Sequence, residues 1–428
     1  MAEEELSTKE KIIKASFSLL RNQAFGTISL SKIAKEVNIS KTAIYRHFEN
    51  KEALEIALRK QIYDDILCLF KKVDTLYFKK EYDLCIYEVL SFMNTYPEYL
   101  TYDLFSTPKL GEDVGFAKYK DAGIKFFSGI FDENHKILDF DFYISSLFVI
   151  CTMVVFMLVW NGSFLEASCS NKIGLTFEQY KNQILLIIKK GFSFSSSELS
   201  AKSISKINTA CLSTFKELPP LDKKLVALGN VVNKVGLQNV TVEAIADELG
   251  MVKSSLYTWF SDKSEMIRSL ISPEINMMLE CVLKTARGAE GPVEKLYALF
   301  KSETLYFITR KEMFSAYKWI QISGNYVKYD NSSLVEKKIS EMLKKEIGKV
   351  FEENARSDIF SLDQDFVMGW LFTIPVFLSV NGIYHEFSDV QMKNALLSLC
   401  KMAATGLSFG GAGNIENQDS HDKKGGKF

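Results

Sequence analysis

The 428-residue chain is too long for one ordinary domain and suits two to four. Hydrophobic residues make up 47% and charged residues 25%, a globular balance, and a formal net charge of -1 neither favours nor excludes a nucleic-acid partner. Seven cysteines, an odd number with no C-x-x-C pair, and four scattered histidines argue against a disulfide framework and against a zinc site built from sequence neighbours. With only 7 prolines and 23 glycines, long helices are the natural expectation.

From the N-terminus, the acidic opening has the wrong polarity for a signal peptide, so a cytoplasmic, reducing location is expected. Ile12, Ala15, Ser16, Leu19 and Leu20 follow steps of three and four residues and predict a first amphipathic helix. Gly26 ends the turn after it, and Ser29 is a good N-cap for a second helix carrying Leu30, Ile33, Ala34 and Val37. Asn38 permits a tight turn, Ser40 can cap a short third helix, and Asn50 a fourth over 51–73. The small Ala34 sits where two short helices must approach closely, so the segment reads as a helix-turn-helix. Phe92, Tyr96, Tyr99, Tyr102 and Phe105 form an aromatic stretch.

Phe142 to Leu165 carries no charge and is a membrane-span candidate by length alone. Asp139, Asp141 and Glu166 flank it, no Lys/Arg cluster marks a cytoplasmic side, and Ser145, Ser146 and Thr152 interrupt it, so a buried core helix is the preferred reading. Phe366 to Tyr384, interrupted by Pro375, is a second such run. Each is followed by an amphipathic helix, Phe177 to Phe192 and Val390 to Leu407. Between the halves, Ser193-Phe-Ser-Ser-Ser is a plausible break, and Leu199, Ile204, Ile207, Cys211, Phe215 and Leu218 predict a connecting helix stopped by Pro219-Pro220. The polar, glycine-rich tail 410–428 is expected to be disordered.

The second half repeats the first. Residues 27–56 and 239–268 align without a gap at a displacement of 212, pairing Ala34 with Ala246, Ile44 with Leu256, Tyr45 with Tyr257, Phe48 with Phe260 and Lys51 with Lys263. Thr241, Gly250 and Asp262 take the places of Ser29, Asn38 and Asn50. The string from Ile33 to Lys51, and again from Ile245 to Lys263, closely resembles the DNA-binding pattern of the TetR family of transcriptional regulators over about fifty residues in each half. Beyond it, Tyr96-Pro97-Glu98 pairs with Arg310-Lys311-Glu312, and Asn161-Gly162 with Asn381-Gly382 at the close of the apolar runs.

The resemblance implies an all-α fold of two tandem units. Each would be a three-helix head with a helical ligand-binding and dimerisation body. The expected division is head one at 1–50, body one at 51–192, connector at 193–220, head two at 221–262, body two at 263–409, then the tail. In the family the last two helices of each subunit build a four-helix dimer bundle; here both pairs lie on one chain, so a single-chain pseudo-dimer is expected, with a homodimer of such chains left open. Double-stranded operator DNA is the implied partner, together with an unidentified small-molecule effector. By resemblance, Tyr45 and Lys51 are phosphate-positioning contacts and Lys41, Thr42, Ala43 and His47 readers, with Arg46 and the cap Ser29 in the same DNA-facing set. Head two offers Thr241, Lys253, Ser254, Ser255, Tyr257, Thr258, Trp259 and Lys263. The weak candidates for an effector pocket are the aromatic stretch above with Tyr306, Phe307, Phe314, Tyr317 and Trp319, although aromatics at helical spacing are more often core.

The heads are not equivalent. Lys32, Lys35 and Arg46 become Ala244, Asp247 and Thr258, and His47 becomes Trp259, so head two is expected to bind DNA more weakly. An operator with unlike half-sites about one helical turn apart is one expectation; a second head kept only as scaffold is the other. Pro273, where the first copy has Gln61, is expected to break or bend the helix after head two. No phosphate loop, nucleophile elbow or catalytic grouping is present, so no enzyme, cofactor or metal site is expected; a TetR-fold interaction scaffold remains the competing class.

Overall fold

The computed structural model describes residues 6–21, 25, 28–106, 116–161, 175–194, 198–235, 241–252, 254–255, 258, 263–313, 341–354 and 364–407. Gly26, Gly162, Glu166, Leu256, Phe260, Asp262 and the tail 410–428 lie outside the described residues. Among the described residues the chain is helical, with an isolated antiparallel bridge between Phe131 and Ile137 and no strand.

Helix α1 (Thr8–Leu20) starts at a capping box in which Ser7 and Glu10 bond reciprocally. α2 (Leu30–Glu36) is capped by Ser29, α3 (Lys41–Ile44) by Ser40 and α4 (Lys51–Phe78) by Asn50. The three residues read as N-caps therefore each satisfy an orphan amide at a helix start. α4 runs past the expected end at residue 73. α5 (Tyr82–Thr95) packs along α4, α6 (Pro97–Ser106) returns to α1 of the head, α7 (Phe116–Asp121) and α8 (Lys125–Ser128) are short, and α9 (Phe140–Trp160) and α10 (Phe177–Lys190) close the first half.

The expected connecting helix is α11 (Ala201–Lys216). It packs on α14 (Lys263–Ala286) and α15 (Pro292–Thr309), with Ile207 and Cys211 buried. α12 (Lys223–Val235), α13 (Val242–Glu248) and the start of α14 repeat the frame of head one. Pro273 does not break α14. The helix continues through it because the proline is exposed and the amide it lacks would have served Ser269, itself exposed, so no core carbonyl is orphaned. A short π-helical turn (Lys344–Gly348) leads into α16 (Lys349–Asn354), followed by α17 (Gln364–Tyr384) and α18 (Asp389–Thr405). Asn161 caps the end of α9, whereas Asn381 falls inside α17.

The two apolar runs are α9 and α17, and they pack against each other. α9 is long and apolar enough to cross a membrane, yet Ile144, Phe148, Cys151, Val155, Phe156, Met157 and Val159 are buried among helices of both halves. α9 also meets α10 and α18, α10 meets α18, and α17 meets α18, so the last two helices of each half form one four-helix body inside a single chain. Its core holds Tyr180, Ile184 and Ile188 from one half with Trp370, Leu371, Leu396 and Leu399 from the other. Polar side chains cross the joint too: Tyr143 donates to Asn381, and Trp370 Nε1 to Thr152 Oγ1 at 3.1 Å.

At one end the joint shows its near-symmetry. Phe192 N–H donates to the Ala403 carbonyl at 2.8 Å, and Leu407 N–H donates to the Ile188 carbonyl at 2.8 Å. Residues 188 and 192 stand to 403 and 407 at one displacement, so the two bonds are exchanged by a local two-fold relation, as at an isologous interface. Gly191 (φ 49°, ψ -143°) and Gly406 (φ 80°, ψ -177°) take positive-φ conformations that glycine alone adopts readily, and these let the helix ends meet.

Candidate nucleic-acid interface

Head one is built around Ile12, Phe17, Leu20, Phe25, Ile28, Ile33, Ala34, Ile44 and Phe48. Asn38 takes φ 56° in the turn between α2 and α3, and Gly250 takes φ 65° at the repeated position in head two. The turn amides follow suit: Ile39 N–H bonds the Ala34 carbonyl at 3.0 Å, and Met251 N–H the Ala246 carbonyl at 2.9 Å. Thr241 caps α13 through the Ala244 amide, as Ser29 caps α2.

On α3 and the turn that continues it from Tyr45 to His47, the buried frame and the exposed face separate cleanly. Ile44 and Phe48 are inside, while Lys41, Thr42, Tyr45, Arg46 and His47 are exposed and Ala43 is half-buried. Tyr45 is 46% exposed, large for an aromatic ring that serves no core. Lys51 is half-buried at the start of α4, with its ammonium 5.0 Å above the Phe25 ring. Burial lowers its pKa despite the nearby Glu55. Lys32 and Lys35 add exposed cations on α2. The face thus presents a basic, partly aromatic surface whose backbone is held by caps at Ser29, Ser40 and Asn50.

In head two, Ser254 and Thr258 are exposed and Ser255 half-buried, with Thr258 Oγ1 turned back to the Ser255 carbonyl at 2.6 Å. Lys253, Tyr257, Trp259 and the Lys263 side chain lie outside the described residues. One contact of this head left no trace at the sequence level. Glu248 accepts from Lys234 Nζ at 2.5 Å and from Asn230 Nδ2 at 2.9 Å, and these bonds hold its carboxyl below the usual range. A cation of the supporting helix is therefore paired internally.

The aromatic candidates for an effector pocket fill the joint between head and body. Tyr99 and Tyr102 are buried in the cluster of head one, with Phe92 and Tyr96 half-buried beside them. Tyr99 lies 5.0 Å from Phe17 of α1 and donates to Asp65 of α4 at 2.6 Å. Tyr102 donates to Glu55 at 3.1 Å and accepts from Arg59 Nε at 2.9 Å, and Arg21 meets Glu98 at 2.9 Å. In the second half Tyr306 and Phe307 are fully buried; Tyr306 donates to Glu274, which pairs with Arg310 at 2.7 Å, and Arg310 also reaches the Pro219 carbonyl. The Phe105 side chain and Phe314, Tyr317 and Trp319 lie outside the described residues.

A capped, tightly turned helix pair behind a supporting helix, with an exposed basic third helix, has the arrangement of a helix-turn-helix. The sequence model for "Bacterial regulatory proteins, tetR family" matches residues 12–58 and again 227–270. The chain is also 48% identical over 46 residues to the "Uncharacterized HTH-type transcriptional regulator YerO" of Bacillus subtilis (strain 168), a stretch covering 11% of this chain and 16% of that protein. The tetR-family N-terminal unit is thus matched at two places in the chain, once in each half.

Proposed function

We propose that the protein is a transcription regulator that binds double-stranded DNA through α3 of head one, with the second head as a weaker, differently read contact. The observation that carries this reading is the exposure of Lys41, Thr42, Tyr45, Arg46 and His47 over a frame held by buried Ile44 and Phe48. Tyr45 and Lys51 position phosphates, while Lys41, Thr42, Ala43 and His47 face base edges. The operator is then asymmetric, with half-sites about one helical turn apart. Repression in the cytoplasm, relieved by a small molecule bound in the body, completes the reading. Asp65, Glu55 and Arg59 on α4 are bonded to Tyr99 and Tyr102 of α6, so a shift of α6 is carried to the helix that begins at Lys51.

Footprinting on the DNA upstream of the chain's own coding sequence tests it. Two unlike protected half-sites are expected, and Tyr257→Ala should clear the weaker one. The replacement of Lys32 and Lys35 by Ala244 and Asp247, and the internal pairing of Lys234, favour a second reading in which head two is scaffold. One protected half-site, indifferent to Tyr257→Ala, would select it, and no shift at low salt with either head would refute DNA binding altogether.

A further inference from the structure

Glu303 lies in the middle of α15 with none of its surface exposed. Leu299 and Phe300 precede it by one helical turn and Tyr306 and Phe307 follow by one, all on its own side of the helix and all fully buried. Neither carboxylate oxygen meets a hydrogen-bond partner among the described residues. Glutamate is almost never buried in this way unless paired, because an ionised carboxylate stripped of water without a partner is strongly disfavoured. Burial accordingly pushes its carboxyl well above the usual carboxylate range.

The duplication shows that the fold does not require an acid there. Tyr96 and Arg310 end α5 and α15 in the same backbone conformation, φ -123° ψ 59° and φ -128° ψ 64°, and their amides bond Phe92 and Tyr306 in the same way. At that displacement Glu303 stands where α5 has Val89, an ordinary apolar contact of the core. A carboxylate stands where the first body has a valine, and it has no hydrogen-bond partner among the described residues.

We propose that Glu303 is the charge anchor of a ligand site in the second body, taking a small apolar molecule that bears a protonated amine. The inference rests on the reading of the bodies as effector-binding parts. The ammonium supplies the partner that the described residues do not; its hydrogens are donated to the carboxylate, and the proton held by the unliganded acid leaves to solvent. The apolar neighbours on α15 suit the rest of the molecule. Val89 gives the first body no such preference, so the two bodies differ in ligand as the two heads differ in charge.

Calorimetry on the full chain without DNA, using 4-phenylbutylamine against 4-phenylbutanol and 4-phenylbutyrate, tests it. The amine should bind about tenfold or more tighter than the alcohol, about 1.4 kcal/mol, with the carboxylate weakest. Repeating the titration in buffers of different ionisation enthalpy should show about one proton released per amine. Glu303→Gln and Glu303→Val, the latter copying the first body, should abolish both the preference and the proton release. Equal binding of amine and alcohol, no amine binding, or a preference that survives in either variant would overturn the proposal. Amine binding that leaves the DNA complex intact would keep the site and refute the effector reading. Release of DNA by another compound, with no amine binding, would do the reverse.

Discussion

Arg46 stands exposed at the end of α3, with Ile44 and Phe48 holding its backbone from below. Arg46→Ala should therefore leave the melting temperature almost unchanged while weakening operator binding about tenfold or more and reducing the salt slope by about 1, read by gel shift over a salt series. The reverse change belongs in head two, where Thr258 and Asp247 are exposed. Asp247→Lys with Thr258→Arg should tighten binding and steepen the salt dependence if that head meets DNA, and should do neither if it is scaffold. Asn50 carries a different load: its side chain accepts from the Ala53 amide at 2.8 Å at the start of α4. Asn50→Ala should cost about 1 kcal/mol in chemical denaturation.

Among the helices, α4 and α14 do the same job with different chemistry. On α4 the buried Ile62 faces a joint filled by Phe92 and Tyr96, whereas α14 places Glu274 at the matching position, with Tyr306 and Arg310 opposite. Glu274 and Arg310 are only 4% and 5% exposed, so removing one partner strands a buried charge. Arg310→Tyr alone should cost about 3–5 kcal/mol in thermal or denaturant unfolding. The pair Glu274→Ile with Arg310→Tyr copies the first half and should recover most of that loss, because an apolar joint of this design already works there. A double change as damaging as the single one would show that Pro219, which also accepts from Arg310, makes the pair indispensable.

For the molecule as a whole, the joint between halves takes the place that a dimer interface would otherwise fill. A methyl group on Gly191 would lie 2.4 Å from the Ala403 carbonyl oxygen, and one on Gly406 would lie 2.2 Å from Lys189 backbone atoms. Both glycines are at positive φ, where an added Cβ is strained as well. Gly191→Ala and Gly406→Ala should each cost about 3 kcal/mol or more and expose the ends of α10 and α18 to limited proteolysis. The near-symmetry of the Phe192–Ala403 and Leu407–Ile188 bonds predicts similar losses for the two. Unequal effects would mean that the halves do not share the joint evenly.

Much of the architecture was legible in the sequence because it rests on local chemistry. Ser29, Ser40, Asn50 and Thr241 cap the helices assigned to them, Asn38 and Gly250 adopt the left-handed turn, and the 212-residue displacement holds in backbone bonds as well as in letters. Periodicity likewise separated Ile44 and Phe48 from the exposed face of α3. What stayed hidden depends on residues far apart in the chain. The connecting helix was legible, but its packing partners, α14 and α15, were not, and α14 survives Pro273 because that residue faces water. The aromatic stretch became a head–body joint once Phe17, Asp65 and Glu55 were folded against it. Glu303 carries no local mark at all. A glutamate on a helix is ordinarily solvated, and only the helices packed around α15 bury this one with no partner among the described residues. Caps, turns and the repeat follow from neighbouring residues; burial and pairing are set by distant ones, so the joint between the halves and the isolated acid belong to the tertiary structure alone.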